Sequence, residues 1–158
     1  METRKTYETI LVATDGSDPA KHAVECAANS AQKWGAKLLL LTVVPPPCTI
    51  FIDVAGFSTD YNLDYEKTIM AYHVGVLDNA KKYLKENYPD LNVSTKIKKG
   101  YVSKKILEAA EEGKPDLIVI GSRGLGGLTS MFLGSVSNYI VNHCKLPILV
   151  VKKDGGEM

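Results

Sequence analysis

Asp116-Leu117-Ile118-Val119-Ile120-Gly121-Ser122-Arg123-Gly124, followed after nine residues by Gly134-Ser135, is the stretch from which the fold can be read. The apolar run Leu117 to Ile120 has the length and composition of a buried strand. After Ser135, the apolar residues Val136, Tyr139 and Ile140 recur at helical spacing. A loop from a strand's carboxyl end to a helix's amino end presents N–H groups without intrahelical partners and the positive end of a helix dipole. That is the setting in which phosphate binds. The glycines are expected to take φ > 0 or to let backbone approach a ligand that a Cβ would block. Ser135 is expected at the N-cap, where its hydroxyl serves either the helix or a phosphate. From these residues alone, a glycine-rich turn with a capping serine and no ligand is the alternative.

Working outward, strands and helices alternate. Thr9 to Thr14 reads as a first strand. Asp18 is the expected N-cap of a helix with Pro19 at its first position, and Ala20, Ala23, Val24, Ala27, Ala28 and Ala31 repeat at helical spacing until Gly35. Lys37 to Val44 is nearly all apolar, as burial on both faces of a parallel sheet demands. A long loop is expected from Pro45 to about Asp64. A long helix then carries Met70, Val74, Leu77, Ala80 and Leu84 on one face and ends before Pro89. Asn92 to Lys98 is a more polar strand and so belongs at an edge. Val102 to Glu111 is a helix, Asp116 to Ile120 a strand, Ser135 to His143 a helix and Pro147 to Val151 the last strand. This alternation implies an α/β fold with a parallel sheet and right-handed crossovers.

At 158 residues the chain has the size of one domain, with a core over about 6–152 and a frayed tail at 153–158. A formal net charge of +1 removes the electrostatic case for nucleic acid or a membrane surface as partner. The lysines between Lys96 and Lys99 are expected to edge a solvated strand. Cys26, Cys48 and Cys144 are scattered, which indicates neither a disulfide framework nor a zinc site, and a reducing cytoplasm is the expected compartment. The longest apolar stretch, Leu38 to Val44, is far short of the ~20 residues that span a bilayer. His22, His73 and His143 lack metal-ligand spacing and read as surface or half-buried residues, and Cys144 reads as a small apolar one.

The spacing Gly-x-x-Gly, nine residues, Gly-Ser resembles the nucleotide signature of the universal stress protein family, specifically its ATP-binding branch. Ile10-Leu11-Val12-Ala13-Thr14-Asp15-Gly16-Ser17 near the amino end and Leu146-Pro147-Ile148-Leu149-Val150-Val151 at the close are similar to the family in order and place. The resemblance implies an open five-stranded parallel sheet of order 3-2-1-4-5 with helices on both faces. It also implies ATP as ligand, with Mg2+ or Mn2+ on the phosphates. The residues implied on the nucleotide are Ala13, Thr14, Asp15, Val43, Gly121, Ser122, Arg123, Gly124, Gly134, Ser135, Val136 and Ser137, with the backbone of Val43 meeting adenine. By itself Val43 would read as core, and Arg123 as either a phosphate contact or an exposed loop residue. In the order 3-2-1-4-5, strands one and four are neighbours whose connections leave in opposite directions. Open α/β sheets bind ligands at such a switch point.

Asp15 follows the first strand directly. A bare carboxylate is repelled by phosphates, so its partner there is a ribose hydroxyl or a metal ion carried by the phosphates; otherwise it shapes the Asp15-Gly16-Ser17 turn. No other protein ligand for a metal is identified. The loop 45–64 leaves the ligand end of strand two, and Ile50, Phe51, Ile52 and Phe57 suit it to a lid or a subunit contact. The uncharged run Ile148, Leu149, Val150 and Val151 forms an edge strand that a second copy would cover, giving a homodimer. The chain has no Gly-Lys-Ser/Thr phosphate loop. Grip without a catalytic constellation points to a regulatory or stress-response binding module with little turnover. A slow ATPase or nucleotide-transforming enzyme is the alternative, and a ligand-free dimerisation scaffold the third reading.

Overall fold

A computed structural model describes residues 6–47, 59–123 and 133–152. The elements run β1 (Thr9–Ala13), α1 (Asp18–Trp34), β2 (Lys37–Val44), α2 (Thr59–Asn87), β3 (Val93–Lys99), α3 (Val102–Gly113), β4 (Leu117–Gly121), α4 (Ser135–His143) and β5 (Ile148–Val151). All five strands are parallel, in the order β3-β2-β1-β4-β5. The sheet is the expected one, and most element bounds fall within two residues of those read from the sequence.

Helices cover both faces because each central strand is apolar on both sides. Ile10, Val12, Leu38, Leu40, Leu117 and Val119 point into the layer under α1 and α2, where Ala23, Val24, Ala27, Ala28, Ala31, Leu77 and Leu84 are buried. Leu11, Leu41, Val43, Ile118 and Ile120 point the other way, against Ile106, Ala109 and Ala110 of α3 and Ile140 of α4. Each fully buried Leu or Ile contributes about 1.5–3 kcal/mol. The alanine face of α1 lets that helix lie close on the sheet.

Three local expectations are corrected. The N-cap of α1 is Ser17, in extended conformation, with its hydroxyl accepting the Ala20 N–H at 3.3 Å; Asp18 is already in the first turn. Helix α2 starts at Thr59 rather than near Asp64, so it takes up the end of the expected loop. Ile50, Phe51, Ile52 and Phe57, expected in a lid or a subunit contact, lie outside the described residues. On α2 the inward face holds His73, Val76, Leu77 and Leu84, whereas Val74 is 39% exposed. It sits at the rim of a groove between α2 and the edge strand β3, beside Thr95 and Ile97, where the sheet ends.

Two of the three β3 lysines, Lys96 and Lys98, are paired with carboxylates rather than merely solvated. Lys98 donates to Glu108 at 2.7 Å and to Glu112 at 2.8 Å, Lys105 to Glu108 at 2.6 Å, and Lys96 to Glu112. The hydrogen bonds from Lys105 and then Lys98 pull the Glu108 carboxyl down to about 2. No described helix is long and apolar enough to cross a membrane.

Candidate functional site

The site is built from the carboxyl ends of β2, β1 and β4, neighbours in that order. On β2, Leu38 N–H donates to Asn92 and Val44 C=O accepts from Gly100, so the even-numbered residues bond to β3. The odd ones bond to β1, the last such bond running from Thr14 N–H to Leu41 C=O at 2.9 Å. Parallel ladders alternate sides residue by residue. The N–H and C=O of Val43 therefore face the side that β1 has vacated by turning into α1. The Val43 side chain is buried in the core at 5% exposure, so only its backbone is offered to a ligand.

The turn after β1 is tightly held. Asp15 Oδ1 accepts the Ser17 N–H at 3.0 Å, and Thr14 Oγ1 accepts the Gly16 N–H at 3.3 Å. Gly16 has φ +82°, the left-handed region that favours glycine. Asp15 thus shapes the turn, and that same turn fixes its carboxylate at the carboxyl-terminal edge of the sheet.

At β4 Gly121 and Gly134 have packing and capping roles. Neither Gly121 nor Gly134 has positive φ. A Cβ on Gly121 would meet Pro19 C at 3.0 Å, Pro19 O at 3.1 Å and Ala20 N at 3.2 Å, so this glycine lets the first turn of α1 lie on the strand end. Gly134 is held against its own chain, its N–H donating to Ser122 C=O at 2.6 Å, and it is the N-cap of α4 at φ −69°, ψ 168°. Ser135, expected at the cap, is the first helical residue and is exposed. Two residues on, the buried hydroxyl of Ser137 donates to Ser122 C=O at 2.8 Å and lies 3.1 Å from Gly134 C=O, tying the first turn of the helix to the end of β4. Gly134 has no side chain with which to cap. The first intrahelical bond is Asn138 N–H to Gly134 C=O at 2.9 Å, which leaves the N–H groups of Ser135, Val136 and Ser137 for a partner from outside the helix. Buried Ser122 and half-buried Ala13, Val136 and Arg123 complete the described rim, and Gly124 lies outside the described residues. Asp116, the first residue of the quoted stretch, works at the opposite end: its Oδ2 accepts Glu8 and Thr9 N–H at 2.8 and 3.0 Å.

Helix α2 supplies residues that the sequence did not reveal. Tyr72 donates its hydroxyl to Asp15 C=O at 3.1 Å. His73, read as an ordinary surface or half-buried residue, is 5% exposed, with Nδ1 3.1 Å from the hydroxyl of Thr42, itself 1% exposed. Burial lowers the His73 pKa below its ordinary value, against the opposing pull of the Asp15 charge. The imidazole is therefore neutral at pH 7. Among the described residues no three His, Cys, Asp or Glu side chains come together as a metal site.

This arrangement has close relatives. The profile of the universal stress protein family matches residues 6–152. The chain belongs to the universal stress protein family. A universal stress protein of Thermus aquaticus, encoded in the QAH/OAS sulfhydrylase 3' region, is 35% identical over 149 residues, covering 92% of this chain and 99% of the relative. The structure of universal stress protein UspA from Lactobacillus plantarum superposes with a TM-score of 0.80 at 25% identity, over 94% of this chain and 99% of that one. A universal stress protein solved in complex with cAMP has a TM-score of 0.61 at 27% identity, over 93% and 98% of the two chains.

Proposed function

We propose that this universal stress protein binds ATP across the ends of β2, β1 and β4 and acts as a nucleotide-dependent regulatory or stress-response module with little turnover. One observation carries the reading: the strand order places the Val43 backbone, Asp15 and the α4 amino terminus in one row. Two strand spacings, about 10 Å, separate its ends. A nucleotide presents base, ribose and phosphates in that same order. The Val43 N–H and C=O suit the donor and acceptor edge of adenine. Asp15 suits a ribose hydroxyl, and the N–H groups of Ser135, Val136 and Ser137 suit phosphate at the positive end of a helix dipole. The relative solved with cAMP supports an adenine nucleotide as the class of ligand.

Mg2+ or Mn2+ fits this donor set as an ion carried by the phosphates, since such ions keep most of their water and take one or two carboxylates. Asp15 is the carboxylate in place for it. When bound, the ion would neutralise phosphate charge. The chain's own groups grip through backbone donors and one carboxylate, whereas fast phosphoryl transfer needs a positioned nucleophile and focused charge stabilisation. Slow turnover follows from that chemistry. The reading extends to a homodimer through β5, an edge strand whose Leu149 is 39% exposed and whose Ile148 and Val150 are half-buried.

Mass spectrometry of gently purified protein tests the proposal. Co-purified ATP is the expected result, ADP alone would indicate hydrolysis, and no retained or added nucleotide binding would contradict it.

A further inference from the structure

Successive residues of α2 hold two different strand ends. Tyr72 donates to the Asp15 carbonyl at 3.1 Å, and Val76, one helical turn further on, lies so close to Gly16 that a Cβ there would stand 2.9 Å from its Cγ2. His73, one residue on from Tyr72, is bonded to Thr42, the residue before Val43. The Tyr72 ring is 46% exposed, so its place is not set by core packing alone. The Thr42–His73 pair is different: both groups are buried, and a buried hydroxyl and imidazole persist in a core because each satisfies the other. One helix therefore contacts the backbone of Asp15 and the side chain of Thr42, next to the carboxylate and the strand backbone to which the nucleotide reading assigns ribose and base.

We infer that Tyr72 is a positioning residue for the nucleotide, acting through Asp15, and that His73 acts in the same way on Val43 through Thr42. This inference rests on the reading under Proposed function. It makes α2 the element that sets the distance between the base and ribose contacts, and nothing in the glycine signature encodes that distance.

The test is a double-mutant cycle on the full chain with Mg2+ and ATP as titrant. Tyr72→Phe removes one hydroxyl and keeps the ring; ATP affinity should fall about fivefold, the size of one hydrogen bond. In an Asp15→Ala background the same change should cost less than about twofold, because a residue that works through another loses its effect when that residue is gone. Backbone exchange provides a ligand-free arm: the Gly16 and Ser17 amides should exchange several-fold faster in Tyr72→Phe. For the second half, Thr42→Val should narrow the preference for ATP over GTP several-fold, whereas Thr42→Ser, which keeps the hydroxyl, should retain it. If the wild-type chain binds ATP and Tyr72→Phe matches it, or the full loss persists without Asp15, the role of Tyr72 is overturned. An unchanged ATP-to-GTP ratio in Thr42→Val overturns that of His73. A wild-type chain that binds neither nucleotide overturns the nucleotide reading itself and both roles with it.

Discussion

Replacing Gly121 by alanine separates two explanations of the same glycine. If Gly121 is a ligand glycine, the change weakens nucleotide binding and leaves the fold alone. The structure gives it a packing role that predicts a different outcome: the new Cβ would stand 3.0–3.2 Å from three backbone atoms of Pro19 and Ala20. Backbone cannot rotate away as a side-chain tip can. The first turn of α1 is pinned by its Ser17 cap and by the buried Ala20 and Ala23, so it yields only by shifting the helix. Overpacking of this kind costs about 1–3 kcal/mol. Since Gly121 does not have positive φ, alanine recovers about 0.4–1 kcal/mol from the unfolded chain. The net loss is about 1.3 kcal/mol from the mid-values of the two ranges, and at about 2–4 °C per kcal/mol for a chain of this size the midpoint should drop by roughly 4 °C. Urea unfolding followed by circular dichroism, with a thermal melt beside it, measures both. A variant as stable as wild type but deficient in ATP binding would refute the packing argument and restore the ligand role.

The opposite sign is expected at Gly75, in the middle of α2, where a Cβ would meet nothing within 4 Å; Gly75→Ala should raise stability by about 0.5–1 kcal/mol in the same urea assay. Stability should also fall in two stages on acidification. His73 is held below its ordinary 6.5, so below that pH the unfolded chain binds the proton first and stability declines, levelling once the folded imidazole is also charged. Glu108 is depressed from 4.5 to about 2, so its contribution is present above 4.5 and is lost between those values. Glu112 is likewise held low by Lys96 and Lys98, so Glu108→Gln should reduce the lower stage without abolishing it and leave the upper one in a pH series of denaturation midpoints. Leu149→Lys on the exposed side of β5 should shift sedimentation toward monomer if β5 carries the dimer, and a monomeric wild type would refute that extension.

Much of the fold was legible because burial writes itself into periodicity. The six residues spaced along α1 from Ala20 to Ala31 are all buried, and the central strands are unbroken apolar runs. The strand order came from the family resemblance, since alternation of elements does not say which strands are neighbours. The start of α2 was missed because residues 59–64, Thr-Asp-Tyr-Asn-Leu-Asp, carry no apolar stripe. Val43 and Asp15 enter the candidate site by resemblance, and the alternation of the β2 ladder adds that the backbone of Val43 faces the side β1 has left. The contacts of Tyr72 with Asp15 and of His73 with Thr42 span 57 and 31 residues of chain. No local spacing signals such pairs. The packing role of Gly121 is hidden for a related reason: a glycine needed by a neighbouring helix and one needed by a ligand look alike in sequence.

Calorimetric titration of Mg2+ and ATP into the wild-type chain and into Ser135→Asp tests the central claim most directly. Ser135 is exposed at the first position of α4, where a carboxylate is favoured by the helix dipole, so the variant should be as stable as wild type or slightly more so. The same charge would sit where the phosphates are held, and a repulsion of about 1.4 kcal/mol is enough for a tenfold loss. The account predicts saturable binding of one ATP per wild-type chain and at least about tenfold weaker binding in the variant. No binding by the wild type, or equal affinity in a folded Ser135→Asp, would contradict it.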